Sequence, residues 1–188
     1  MNKVPLSVRS HKGISPRLGQ GVFIDPTAVV TGDVEVGDDS SIWPCTVVRG
    51  DMGDKLQIRI GARTSIQDGS VIHISHDGPF TPGGAATTVG DDVTIGHSVT
   101  LHGCTINDRV LVGIGALVLD HAVIQSNVMI GAGTLVPPGK SLESGFLYFG
   151  SPCRKARPLT DQEMGYFTYT AGHYVKLKNE HIEQLKNI

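Results

Sequence analysis

The stretch Val110-Leu111-Val112-Gly113-Ile114-Gly115-Ala116-Leu117-Val118-Leu119-Asp120-His121-Ala122-Val123-Ile124-Gln125-Ser126-Asn127-Val128-Met129-Ile130-Gly131-Ala132-Gly133-Thr134-Leu135-Val136 carries an aliphatic residue at every sixth place: Val112, Val118, Ile124, Ile130 and Val136. The period extends upstream through Ile106, through Val89, Ile95 and Leu101, through Ile60, Ile66 and Ile72, and through Ile24, Val30, Val36, Ile42 and Val48. Small or β-branched residues such as Ala28, Thr46, Thr64, Val93, Ala116 and Thr134 often follow four places later, and glycine often follows at once, as in Val36-Gly37 and Val112-Gly113. A helix repeats every 3.6 residues and a half-buried strand every 2, so neither generates a strict six. Hexapeptide repeats mark a parallel β-helix, in which three short strands make one triangular coil. The spacing predicts an all-β solenoid, a left-handed parallel β-helix of about six coils with the aliphatics inside. The glycine after each aliphatic is expected to supply corner backbone angles that side chains resist.

Composition fits that architecture. In 188 residues there are 24 glycines and only 5% aromatics, as suits an interior of small aliphatic layers. A net charge of −2 gives no electrostatic reason to expect nucleic acid or an anionic membrane as partner. No apolar run approaches the roughly 20 residues of a membrane span, and no secretory apolar segment follows Met1, so a cytoplasmic protein is expected. Cys45, Cys104 and Cys153 are odd in number and widely spaced, which reads as isolated residues in a reducing compartment rather than disulfides or a cysteine zinc site. The early cations Lys3, Arg9, Lys12 and Arg17 could suggest a transit peptide, but Pro5, Gly13 and Pro16 spoil an amphipathic helix. The expected organisation is a lead-in over 1–20, the β-helix over 21–140, an irregular crossing segment over 141–159 and a C-terminal helix over 160–188. Thr160 and Glu163 form a capping box for that helix. Met164, Phe167, Ala171, Tyr174 or Val175, Ile182 and Leu185 give it an apolar stripe, reading as a structural buttress against the prism or a neighbour.

Two interruptions break the period, and solenoids place chemistry in such loops. The first spans Gly50–Gln57; the second spans His73–Thr88 and is rich in turn residues. Gly83-Gly84 there is turn chemistry, since no phosphate-binding Lys-Ser/Thr follows. If Ile72 starts face one, the second loop joins it to Val89 on face two, Ile95 starts face three, and Leu101 returns to face one. His73 and His102 then share a face at equal depth, one coil apart, and at the about 4.8 Å spacing of strands their imidazoles can converge on one metal. His97 lies on face three, pointing around the corner, where its own chain struggles to bring it within the about 2.1 Å of a zinc–nitrogen bond. A second chain packed face one against face three supplies it naturally, and that pairing closes as a homotrimer with intersubunit metal sites. His11, His121, His173 and His181 read as solvated corner or surface residues. Counting the first interruption as one hexad puts Arg49 and Gln67 on face three beside His97, with Asp68 at the depth of His97 one coil away. Arg49 and Asp51 read as a structural ion pair at a subunit boundary, the alternative being direct catalysis. Gln67 can orient a water or bond a corner backbone.

The runs Trp43-Pro44, Val48-Arg49-Gly50-Asp51, Thr64-Ser65-Ile66-Gln67-Asp68-Gly69-Ser70-Val71-Ile72-His73 and Ile95-Gly96-His97-Ser98-Val99-Thr100-Leu101-His102-Gly103-Cys104 resemble the gamma-class carbonic anhydrase family, closest to its bacterial YrdA-type branch. The resemblance covers nearly the whole chain, including Gly145-Phe146-Leu147-Tyr148-Phe149-Gly150-Ser151-Pro152. It implies reversible hydration of CO2 to bicarbonate, with His73 and His102 of one subunit and His97 of the next binding Zn2+, or Fe2+ or Co2+. It implies a subunit-bridging role for Arg49 and Asp51, and places Gln67 and Asp68 near the catalytic water. The chain departs from the family in lacking an acidic loop with proton-shuttling glutamates: the interruptions offer Asp54 and Asp77, and position 65 is serine rather than asparagine. Proton export is then expected to be slow, with His76, three residues past a ligand, as the substitute shuttle or simply a solvated loop residue. Two other readings stand beside this one. Hexapeptide helices also serve coenzyme A acyl transfer or thioester hydrolysis, and a non-catalytic assembly protein could keep the fold and the metal.

Overall fold

A computed structural model describes residues 7–52 and 57–186. Lys3, Pro5 and Asp54 lie outside the described residues. The chain winds as a left-handed parallel β-helix with one C-terminal α-helix. Among the described residues each of the three sheets has seven parallel strands, and the third adds one antiparallel strand, so the prism has seven coils, one more than the period suggests.

Register stacks the inward aliphatics into columns. On face one, Val30, Val48, Ile72, Leu101, Val118 and Val136 lie one above another. On face two the column is Val36, Ile60, Val89, Ile106, Ile124 and Leu142. Face three continues Ile42, Ile66, Ile95, Val112 and Ile130 up to Tyr148. All of these side chains are buried. The columns run past the bounds set by the hexapeptide period. Val8–Arg9 and Arg17–Leu18 already pair with the next coil, and Ser141–Leu142 and Phe146–Phe149 extend the sheets at the other end. Arg154–Pro158 returns antiparallel against Phe146–Phe149, so residues 141–159 include strands where an irregular crossing was expected.

The corners differ from expectation in one respect. The glycines that follow the aliphatics, such as Gly37, Gly61 and Gly113, are not the left-handed residues; those fall two places later, at Asp39, Arg63 and Gly115. Gly113 is needed for space instead, since a Cβ there would sit 2.5 Å from the Ala132 backbone nitrogen. Coils approach each other closely at that point, and only hydrogen fits.

The helix spans Asp161–Leu185, with Thr160 as N-cap and Glu163 closing the capping box. Glu163 is held down to about 2 by its hydrogen bonds to Arg157 and then to the Thr160 backbone. The helix lies on face three, touching Phe23–Ile24, Ser41–Ile42 and Thr94–Ile95. Its buried residues are Phe167, Thr170, Ala171 and Lys178; Met164 and Leu185 of the expected stripe are exposed. Lys178 is fully buried, with its Nζ 2.9 Å from Asp39 Oδ1 and donating to Asn179 Oδ1 at 2.6 Å. His181 is not a solvated histidine: its ring packs edge-on against Trp43 at 5.1 Å and against Phe23 at 5.7 Å. Trp43 Nε1–H is shared between Ser41 and Ser65 hydroxyls at 3.0 and 2.9 Å, so the indole is fully satisfied beneath the helix.

Ile66 is fully buried in the middle of its column. Ile66→Asp should abolish folding, since an unpaired carboxylate in that core costs several kcal/mol, whereas Ile66→Val should cost about 1 kcal/mol. Circular dichroism and thermal melts of both variants check this; a native-like Ile66→Asp protein would contradict the column.

Candidate metal centre

Parallel register sets the geometry of the histidines. His73 and His102 are direct partners on adjacent strands of face one, held there because Ile72 and Leu101 point inward. Their rings lie 5.2 Å apart, and His73 Nδ1 faces His102 Nε2 at 3.3 Å. The other nitrogen of each ring meets a carboxylate: Asp120 Oδ1 is 2.6 Å from His102 Nδ1, and Asp51 Oδ1 is 3.4 Å from His73 Nε2. With a proton held on each outer nitrogen by its carboxylate, the two inner nitrogens present lone pairs to one gap. A cation between them relieves that repulsion. Two nitrogens bound to one tetrahedral zinc at about 2.1 Å are themselves separated by roughly 3.4 Å, so the observed separation fits the ion.

His97 lies at the corner after face three, with Nδ1 3.0 Å from Asp68 Oδ2 and its side chain about half exposed. The Asp68 contact leaves its Nε2 available toward solvent or a neighbour. Among the described residues, no three His, Cys, Asp or Glu groups of one chain are arranged to hold a metal ion. The chain therefore brings together two of the three expected ligands and presents the third elsewhere.

Electrostatics keep the buried imidazole neutral. Burial first, then the Arg49 guanidinium, push the His73 pKa below the usual histidine value, with Asp51 opposing. Burial works to raise the Asp51 carboxyl, but the Arg49 hydrogen bonds and charge outweigh it and leave the pKa low. Arg49 donates through one nitrogen to both Asp51 oxygens, at 2.9 and 2.8 Å, so this ion pair closes within one chain.

The strand pairing also corrects the place of Arg49. Val48 stacks on Ile72, so Arg49 belongs to face one beside His73 and not to face three. Val48 and Ile60 stand twelve positions apart, yet the chain between them makes a single step from face one to face two. The first interruption is thus an insertion at a corner and not a hexad of its own. Gln67 is on face three as expected, buried, and anchored through its backbone to Thr46 and Ile95. Its side chain lines a cleft of about 290 Å³ shared with His97 and the C-terminal helix. His76 is exposed on the loop that leaves His73.

Asp120 carries no signal in the hexapeptide period, although its separation from His102 equals the length of one coil. It reaches His102 because Gly103 leaves room: a Cβ at Gly103 would lie 2.3 Å from Asp120 Oδ1, and Gly103 also adopts φ +59°. Sheet face one has a further property. Its outward positions Val29, Val47, Val71, Thr100, Leu117 and Leu135 form one row that is aliphatic except at Thr100, with Val71 40% and Leu117 42% exposed. Face two instead carries Arg17, Glu35 and Arg59 in a charged ladder.

Residues 15–50 match the family of bacterial transferase hexapeptide repeats. Protein YrdA of Escherichia coli is 51% identical over 177 residues, covering 94% of this chain and 95% of that one. Gamma carbonic anhydrase 2, mitochondrial, of Arabidopsis thaliana is 39% identical over 173 residues, covering 90% of this chain and 60% of that longer one. The solved structure of a hexapeptide transferase family protein from Anaplasma phagocytophilum superposes with a TM-score of 0.85 at 35% identity, covering 94% of this chain and 99% of that one. No helix among the described residues is long and apolar enough to cross a membrane.

Asp120→Ala should leave the fold intact and release the tautomer of His102. Nitrogen-15 NMR of the metal-free protein should show His102 protonated at Nδ1 in the parent and drifting to the Nε2-protonated form in the variant. An unchanged tautomer would mean that Asp120 does not set it.

Proposed function

We propose that this chain, which belongs to the gamma-class carbonic anhydrase family of hexapeptide-repeat proteins, hydrates CO2 reversibly to bicarbonate and a proton at a metal held between neighbouring subunits. One observation carries the reading: His73 Nδ1 and His102 Nε2 face each other at the bite of a tetrahedral ion, with their outer nitrogens engaged by Asp51 and Asp120. His97, oriented by Asp68 at 3.0 Å, supplies the third nitrogen from a second copy. The mostly aliphatic row on face one gives that copy a surface to bury, which supports a closed homotrimer. Zn2+ suits three neutral imidazoles, and Fe2+ or Co2+ accept the same donors.

When bound, the ion supplies a nucleophile at neutral pH by acidifying a water. The protein residues do the rest. Burial and Arg49 keep His73 neutral and therefore able to donate its lone pair. Gln67, fixed by its buried backbone next to His97, presents an amide that orients water and CO2. The proton leaves through His76, an exposed imidazole on the loop that follows His73. Without clustered carboxylates, this export step limits turnover. A second reading, acyl transfer from coenzyme A or hydrolysis of its thioesters, draws support from the transferase family match and the Anaplasma structure. Turnover of an acyl-coenzyme A with no CO2 hydration would favour it.

Metal analysis of the purified protein alongside stopped-flow CO2 hydration tests the activity directly, and subunit mixing tests its geometry. His73→Ala, His97→Ala and His102→Ala should each lose most bound metal and all hydration. In a trimer mixed from His73→Ala and His97→Ala chains, one junction joins an intact His73–His102 pair to an intact His97. Equal mixing should restore roughly a quarter of parental sites if subunits exchange freely. His73→Ala mixed with His102→Ala should restore none. Recovery in that second mixture, or none in the first after verified exchange, overturns the assignment.

A further inference from the structure

Between His73 and Thr88 the chain leaves the prism as a braced arm. Ser75 and Ala85 exchange backbone hydrogen bonds at 3.0 and 2.9 Å, and Gly78 and Thr81 do so at 3.2 and 3.1 Å. Asp77 Oδ1 accepts from the Gly83 backbone at 2.8 Å. Thr81 Oγ1 donates to the His76 carbonyl at 2.5 Å, closing the arm near its tip. In the tip turn Gly78-Pro79-Phe80-Thr81, Phe80 is 97% exposed. An isolated aliphatic on a surface needs no explanation. An aromatic ring held clear of its own chain by a hydrogen-bonded arm is different, because aromatic anchors in pockets dominate protein interfaces.

A cleft with room for such a ring lies on the same molecule. The cleft between the C-terminal helix and face three is lined by Gln67, His97, Leu111, Ile114, Tyr166 and Tyr174. It is largely apolar, has room for a phenyl ring, and has Ile114, 57% exposed, at its rim. The arm and the cleft sit on opposite sides of the shared centre: the arm springs from His73, and the cleft contains His97. Any junction that brings His97 of one copy to His73 and His102 of another therefore sets the cleft beside the arm. From Ser75 to Gly78 the extended arm reaches about 10 Å, and the turn carries the Phe80 side chain beyond that toward the cleft.

We infer that Phe80 seats in the His97 cleft of a neighbouring copy of this chain, beside the histidines that the two copies would share. The inference rests on the subunit-shared reading proposed above. It gives the second interruption a role in assembly and in excluding bulk solvent, distinct from any role of His76 in moving protons.

Crosslinking reads the contact directly. Phe80→Cys on one chain and Ile114→Cys on another are combined in mixed oligomers, both on a Cys45→Ser background, since Cys45 is the exposed native thiol and Cys104 and Cys153 are buried. A short bis-maleimide should yield covalent dimers on a denaturing gel. Pairing Phe80→Cys with Val123→Cys, an exposed position on face two, should yield none. Phe80→Ala should raise the concentration at which half the assembly dissociates by about tenfold or more, as loss of an interface anchor does, without unfolding the subunit. Light scattering and zinc analysis separate the two ideas. A zinc-bearing trimer that lacks the link from Phe80 to Ile114, or whose dissociation ignores Phe80→Ala, overturns the arm contact and leaves the shared centre standing. A monomer overturns both.

Discussion

The stacking step of parallel strands, about 4.8 Å, governs this molecule. Because coils stack in register, a residue in one coil has its neighbour at the same depth in the next, and a column of like residues becomes a physical line. The inward columns of Ile, Val and Leu build the core. The outward columns build everything else: the charged ladder of face two, the mostly aliphatic row of face one, and the line that sets Arg49, His73 and His102 side by side with Asp120 one coil on. The site is a consequence of the same repeat that makes the core, read on the opposite side of the strand.

That constraint also explains where irregularity is tolerated. Both interruptions leave the prism at the corner between face one and face two and return to the next strand without shifting a single inward column. Loops inserted at a corner disturb neither the strand ladder nor the core, so they are free to carry polar chemistry or contact surfaces. His73 and His102 sit beside those exits, and His97 lies at the corner after face three. Asp51, Asp68 and Asp120 each contact one ring nitrogen of His73, His97 and His102 respectively, which fixes ring orientation.

Much of this is legible in the sequence because the period is strict. Inward residues, the pairing of His73 with His102, the separate face of His97 and the capping box at Thr160 all follow from counting by six and from cap chemistry. Counting fails where an insertion hides within the count. The twelve-position step from Val48 to Ile60 looks like two hexads, and only the strand pairing shows one step with an excursion, which moves Arg49 to the other face. Period also says nothing about contacts between coils. Asp120 depends on the space above Gly103, and His181 depends on how a helix settles over Trp43, so neither carries a local signal. The period understates the number of coils for a related reason: the first and last strands pair by register although their own residues lapse from the repeat.

Anomalous diffraction at the zinc edge from crystals of the metal-loaded protein tests the central claim most directly. A single peak per subunit is expected, within about 2.1 Å of nitrogens from His73 and His102 of one chain and His97 of the next. A peak ligated within one chain, or one that lacks His97, would contradict the shared centre.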